Sequence, residues 1–224
     1  MRIISPKVAY LVGIIGGDGT ISEIEKRITI TDKSLEFHER ILKPLLKELF
    51  NKEPVISKMR TKNNKITFRT RIISNEAIKL LKMLGIPTKN KTYMMKTPRE
   101  ISDSTNVEVI KNYIKGWMDA EGWVTLRKIK RKRKTYFSPK IGFQTVNKTI
   151  RDELVSLIIK FGIRPSVWNS NKMFGFEITG HKKFEKFLIE IGFNHPEKIR
   201  KCILLRQLRA KRGLQCAGQR VATP

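Results

Sequence analysis

The sequence predicts an α+β fold of two pseudo-symmetric α-β-β-α-β-β-α repeats, and three observations predict it. One nine-residue pattern occurs twice, as Leu11-Val12-Gly13-Ile14-Ile15-Gly16-Gly17-Asp18-Gly19 and as Ile114-Lys115-Gly116-Trp117-Met118-Asp119-Ala120-Glu121-Gly122. Each copy reads as an apolar, small-residue helix ending on an acid followed by glycine. The same order of strand, turn and helix signals then follows both copies. Small residues also recur at spacing four, Gly13 with Gly17 and Gly116 with Ala120, so they share one helix face and let two backbones approach.

The elements follow in order. Ser5-Pro6 signals a helix start, an N-cap with proline at the first helical position, and the helix should stop near Gly19. Thr105-x-x-Glu108 has the capping-box pattern and should open the second motif helix, ending at Gly122. Alternation marks strands at Ile28-Thr29-Ile30, at Val124 to Arg127 and at Lys140 to Gln144, the last two around the basic turn Arg131 to Lys134. The polar turns Thr31 to Ser34 and Val146 to Thr149 lead into helices. Leu35 to Phe50 carries Leu42, Leu45, Leu46 and Leu49, and Ile150 to Phe161 carries Leu154, Leu157 and Ile158. Hairpins follow at Val55 to Ile73, turning at Asn63-Asn64, and at Ser166 to Thr179, turning near Asn171-Lys172. A closing helix in each half should end at Gly85 and at Gly192. The repeats therefore span 1–97 and 98–208, joined by a short polar connection from Thr97 to Ser104. The tail 209–224 loses periodicity and is expected to be disordered or packed on a partner.

The second strong signal is charge. The chain has 47 basic and 20 acidic residues in 224, a net charge of +27, with 40% apolar content that fits a folded core. So positive a surface points to a polyanion, with nucleic acid first. No stretch approaches the ~20 apolar residues of a membrane span. The start of the chain lacks signal-peptide regions. Cys202 and Cys216 have no metal or disulfide spacing. The expected location is intracellular, in the cytoplasm or nucleoid of a prokaryote, an archaeon first, or in an organelle, and not secreted; the Lys- and Ile-rich composition points to a heat-adapted source.

A carboxylate at a helix C-terminus sits at the negative end of the dipole, where an anion is disfavoured. Two such acids brought together by touching helices repel unless a cation joins them, and hard oxygen ligands select Mg²⁺. Such a centre activates water against a phosphate and stabilises the leaving oxygen. His38, His181 and His195 are scattered and form no histidine-based nuclease motif.

On these two motifs, from about residue 5 to 208, the chain resembles the LAGLIDADG homing endonucleases of the single-chain, two-motif type. Gly16 replaces the usual acid at the sixth motif position, whereas Asp119 keeps it. The resemblance implies a double-strand DNA endonuclease making a staggered cut, with divalent metal held by Asp18 and Glu121 and by the carbonyls of Gly17 and Ala120. Mg²⁺ is the implied cofactor, with Mn²⁺ able to substitute and Ca²⁺ able to bind without supporting cleavage. It also implies a polar residue after the second strand, placed here at Asp32 and Asn147, and a basic residue near the scissile phosphate, placed at Lys91 and Lys198. Intron encoding and intron homing by a monomer are implied as well.

Two four-stranded antiparallel sheets beside paired central helices would form a saddle on the duplex. Opposite the core-facing Ile28, Ile30, Ile141 and Phe143 stand Arg27, Thr29, Lys140 and Gln144. Arg69, Arg71, Thr125 and Arg127 follow the same rule. These are candidate base readers, since Arg pairs bidentately with guanine and Gln with adenine. Lys58, Arg60, Lys130, Arg133 and Lys172, nearer turns, are candidate phosphate contacts, and Lys33 and Lys148, beside Asp32 and Asn147, are further candidate DNA-binding residues. The halves differ in their readers, so the target should be asymmetric. The same fold also supports an RNA maturase that binds intron RNA to assist splicing. A DNA-binding regulator ranks third, because no segment is spare for an added helix-turn-helix.

With about ten phosphates neutralised, the equilibrium constant for duplex binding should fall with a log–log salt slope of about −9. Titrations from low to high salt measure it, and a slope of about −2 would rule out the extended basic interface.

Overall fold

The computed structural model describes residues 4–61, 63–131 and 134–218, with side chains of 129–131, 134–136 and 209–218 left out. The first half runs α1 (Pro6–Asp18), β1 (Gly19–Ser22), β2 (Arg27–Asp32), a helix in three parts, β3 (Val55–Arg60), β4 (Ile66–Ile73) and α4 (Asn75–Met83). That three-part helix is α2 (Leu35–Phe37), a π-helical segment (His38–Leu42) and α3 (Lys43–Phe50). Pro44 stands just beyond the π segment, and its missing N–H and bulky ring explain why the regular ladder is broken there. Two short helices, α5 (Lys91–Met94) and α6 (Arg99–Ser102), lead to α7 (Val107–Ala120). The second half repeats the pattern as β5 (Trp123–Arg131), β6 (Lys134–Thr145), α8 (Lys148–Lys160), β7 (Ser166–Ser170), β8 (Met173–Thr179) and α9 (His181–Glu190), followed by α10 (Pro196–Gly218).

Both sheets are four-stranded and antiparallel, in the matching orders β1-β2-β4-β3 and β5-β6-β8-β7. Each turns one face to the helices, with Ile28, Ile30 and Ile72 in the first and Ile141, Phe143, Phe176 and Ile178 in the second all buried. Local signals did their work: Ser5 accepts from Val8 N at 3.2 Å, and the hairpin turns use left-handed Asn64 and Asn171. Gly85 and Gly192 end α4 and α9 at φ +68° and +70°, a conformation that Cβ disfavours.

Two expectations need correction. The cap of α7 is Asn106, whose side chain accepts from Glu108 N at 3.0 Å, so the Thr105 capping box does not form. The connection from Thr97 to Ser104 is not merely polar, because α6 buries Ile101 completely. The backbone of α10 runs on as a helix past residue 208, to Gly218. Among the described residues, no helix is long and apolar enough to cross a membrane.

The centre of the molecule is the crossing of α1 and α7. A Cβ on Gly13 would collide with the Tyr113 carbonyl, and one on Gly116 with the Tyr10 carbonyl, so backbone meets backbone on both sides of a pseudo-twofold. A Cβ on Gly17 would lie 2.6 Å from Ala120 Cβ, so only one of that pair can carry a methyl group. Gly13→Ala and Gly116→Ala should each destabilise the protein by about 1–3 kcal/mol, despite the gain of about 1 kcal/mol in helix propensity. Denaturant unfolding measures this, and a neutral result would contradict the contact.

Candidate active site

Because α1 and α7 touch, their C-termini deliver Asp18 and Glu121 to one place. Glu121 caps α7, its N–H bonding Trp117 O, and a Cβ on Gly17 would lie 2.8 Å from Glu121 Cγ. Asp18 is raised to about 7, by burial first and then by the charges of Glu121 and Asp32, with Lys198 and Lys91 pulling the other way. Burial also raises Glu121, against the pull of the same two lysines. Asp18, with Gly17, Thr20, Pro87, Thr88 and Lys91, lines a cleft.

The structure brings both predicted lysines to this point in matching ways. Lys91 Nζ donates to Ile15 O, to Gly16 O at 2.7 Å and to Gly17 O at 3.1 Å. Lys198 Nζ donates to Met118 O at 2.8 Å, to Asp119 O and to Ala120 O at 3.2 Å. Each ammonium thus satisfies the orphan carbonyls of a motif helix and neutralises the negative end of its dipole. Burial lowers both lysines, Lys91 to about 8, while the acids hold them up.

Sequence reading did not find what lies beneath. Asp119 is fully buried and accepts from Tyr10 Oη at 2.7 Å, Asn194 N at 3.0 Å and His195 N at 3.1 Å. Burial pushes its carboxyl up and these donors pull it down. His195 Nε2 lies 3.3 Å from Asp32 Oδ1, and its ring stacks on Phe37 at 4.5 Å. The departure at Gly16 also has a cause: the Trp117 indole fills the space that a side chain there would need.

Asp32 and Asn147 are not equivalent, and their bonds go to different partners. Asp32 Oδ1 accepts from Ser34 N as Thr145 Oγ1 accepts from Asn147 N, so Asp32 matches Thr145 and Asn147 matches the N-cap Ser34. The Asn147 amide is spent: Oδ1 accepts from Ile150 N, and Nδ2 donates to Tyr93 O and Met95 O at 3.2 and 2.8 Å. Asp32 lies close enough to raise Asp18, but its bonds go to Ser34 and His195. The matching buried braces His38 and Arg151 were also missed. His38 Nδ1 lies 2.6 Å from Thr70 Oγ1, and Arg151 donates to Trp168 O at 3.1 Å and to Gly175 O at 3.3 Å.

A family model described as the LAGLIDADG-like domain matches residues 5–85 and 108–192, the two repeats. The chain belongs to the LAGLIDADG-like domain family. Its fold is similar to the homing endonuclease I-WcaI bound to its DNA recognition sequence, at 18% identity over 90% of this chain and 88% of that one, TM-score 0.62. It is similar to I-DmoI in complex with DNA and Mn, at 19% identity over 84% and 96%, TM-score 0.55. The N-terminal LAGLIDADG domain of DUF199/WhiA is similar at 17% identity over 86% and 84%, TM-score 0.55. No curated protein sequence matches the chain.

In this LAGLIDADG chain the open sheet faces differ. The first carries Arg27, Thr29, Arg69 and Arg71 in neighbouring register, Thr29 opposite Arg71. Of these, Arg27 pairs with Glu25 at 2.6 Å and Arg71 donates to Ser57 at 3.4 Å. On the second face Thr125 pairs in register with Lys140, and Arg127 with Ser138. There Gln144 is exposed, Lys140 is held by Glu177, and Trp123 and Trp168 cover Gly142 and Gly175. Lys58 and Arg60, opposite Phe68 and Ile66, alternate to the other side from Arg69 and Arg71, so they do not share the arginine face. Lys33 is paired with Glu197 at 3.3 Å and braces α10 rather than standing free. Lys148 and Lys172 are exposed. Arg133 and the side chain of Lys130 lie outside the described residues.

The acid pair fits a divalent metal. Two carboxylates raised by burial, Asp18 also by the charge of Glu121, stand beside main-chain oxygens and make a hard-donor set. Among the described residues no group of three or more His, Cys, Asp or Glu side chains could hold a metal alone, so part of any coordination shell must come from carbonyls, water or substrate.

In metal-free protein, folded Asp18 keeps its proton up to about pH 7, whereas the unfolded residue loses it near 4. The stability this confers is complete below pH 4 and is lost as pH rises through 7. Asp18→Asn should therefore melt above wild type at pH 8, with the gap closing toward pH 4 and on adding Mg²⁺, which stabilises only the wild type. Thermal melts in chelator and in Mg²⁺ check this. A gap independent of pH would show that Asp18 is not held against its charge.

Proposed function

We propose that this protein is a site-specific DNA endonuclease that cuts both strands of a long, asymmetric duplex by metal-assisted phosphodiester hydrolysis. The observation carrying the reading is the single cluster of Asp18, Glu121, Lys91 and Lys198 at the shared end of the two motif helices, between two open sheet faces. The I-WcaI and I-DmoI structures hold DNA, and the I-DmoI complexes include Mn, Mg and Ca, which supports duplex DNA as substrate and a divalent cation as cofactor.

Asp18 and Glu121 would hold the cation with help from the Gly17 and Ala120 carbonyls. When bound, it supplies Lewis-acid activation of water and stabilises the leaving oxygen. Lys91 and Lys198 present positive charge to the phosphate from the two sides, one per half. The two acids belong to different halves, each serves one DNA strand, and the cut is staggered. One chain contains both halves and acts as a monomer. Mg²⁺ is the working ion, Mn²⁺ replaces it, and Ca²⁺ binds without turnover. The unequal sheet faces support an asymmetric target, and the role is intron homing, with a long site in an intron-less allele as the target.

Incubation with Mg²⁺ and that allele, or with a plasmid library of randomised sites, should yield linear product with short overhangs. Asp18→Asn and Glu121→Gln should each lower the rate at least about 10³-fold while leaving binding in place. Cleavage surviving either change would refute the site. No cleavage by wild type, with tight binding to intron RNA, would favour the maturase reading.

A further inference from the structure

Lys91 and Lys198 bond their own half's motif helix, yet neither is held in place by its own half alone. Lys91 opens α5, a four-residue helix whose N-cap Asn90 is left-handed and makes no side-chain cap bond. A helix that short has no stability of its own. Beyond the Lys91 bonds to α1, the hold on it comes from the second half: Asn147 Nδ2 donates to Tyr93 O and Met95 O, and Glu153 accepts from Thr97 N at 2.6 Å. Met95 between these bonds is buried.

Lys198 lies in the first turn of α10, and here the first half supplies much of the grip. His195 meets Asp32 and stacks on Phe37, Glu197 pairs with Lys33, and Arg200 pairs with Glu36 at 2.6 Å. Every one of those partners sits where β2 passes into α2. Asn147 sits at the corresponding elbow, where β6 passes into α8. The two grips use different chemistry, however. Thr88, three residues before Lys91 as His195 is before Lys198, bonds Glu23 inside its own half at 2.6 Å.

We propose that the two elbows are reciprocal clamps: Asn147 of the second half positions Lys91, and Asp32 of the first half, through His195, positions Lys198. Asn147, Asp32 and His195 are then positioning residues, acting through the lysines rather than on substrate. Each half governs the other half's lysine, and losing one clamp disturbs one side of the site. The activity consequence rests on the nuclease reading, whereas the clamp itself does not.

Two substitutions separate positioning from folding. Asn147→Asp keeps an oxygen to cap α8 but sets a second oxygen against the Tyr93 and Met95 carbonyls. Asn147→Ser caps as Ser34 does and cannot reach them. His195→Phe keeps the stack on Phe37 and loses the bond to Asp32. In metal-free protein, brief acylation with an N-hydroxysuccinimide ester, read by mass spectrometry, should label Lys91 several-fold more in the Asn147 variants with Lys198 unchanged. His195→Phe should do the reverse.

In strand-resolved nicking with Mg²⁺, each variant should slow one strand about tenfold or more, and a different strand in each case. Unchanged labelling, or equal labelling of both lysines in each variant, would overturn the clamps, as would equal slowing of both strands. If wild type cuts nothing, the nuclease reading fails and the labelling pattern alone decides the clamps. Melting curves accompany each variant, and Asn147→Ser replaces Asn147→Asp if the latter does not fold.

Discussion

Everything in this molecule depends on two helix backbones touching. Gly13 and Gly116 are glycines because each would otherwise drive a Cβ into the opposite backbone, at Tyr113 and Tyr10. That contact fixes where α1 and α7 end, and their ends carry the acids. A wider crossing with ordinary side chains between the helices would separate Asp18 from Glu121 and relieve their repulsion. The close crossing instead forces two desolvated carboxylates onto the negative ends of two dipoles, and two lysines are drawn in to offset them. The basic groups are a consequence of the crossing as much as a part of the chemistry.

The elements that were legible are those whose causes are local. Ser5 before Pro6, the left-handed asparagines of the hairpins and the glycines closing α4 and α9 each act within a few residues of themselves. The duplication was legible because both halves need the same local signals in the same order. Alternation in β2 and β6 separated core from open face, since a strand has only two sides. The acids of the site were visible for a related reason: a charge at the wrong end of a helix is a local anomaly.

What was not legible is set by partners far apart in the chain. Nothing near Asp119 announces that Tyr10 and the backbone of Asn194 and His195 will surround it. Nothing near Asn147 says that its amide will be spent on Tyr93 and Met95. Counting from the polar turn put Asn147 opposite Asp32, whereas the strand register makes it the partner of Ser34, because the two halves enter their helices through loops of unlike sequence. Ile101 was overlooked since one apolar residue in a polar linker has no periodicity. Lys33 read as a free cation until α10 supplied Glu197.

The inequality of the halves goes deeper than their surfaces. At the sixth motif position the first half has Gly16 and the second Asp119, and at the fourth they have Ile14 and Trp117. Trp117 occupies the space that Gly16 leaves, so large faces small across the axis. If the second half paired with a copy of itself, Trp117 would meet Asp119, and the indole would compete with a carboxylate that already needs Tyr10 as donor. If the first half did so, Ile14 would face Gly16 across a gap, a packing loss in the most buried part of the molecule. The two halves therefore fit each other better than either fits itself. Fusion into one chain permits such a pairing, since a symmetric dimer must satisfy every contact twice. Once the core is asymmetric, nothing obliges the sheets to match, and an arginine face can stand beside one covered by tryptophan.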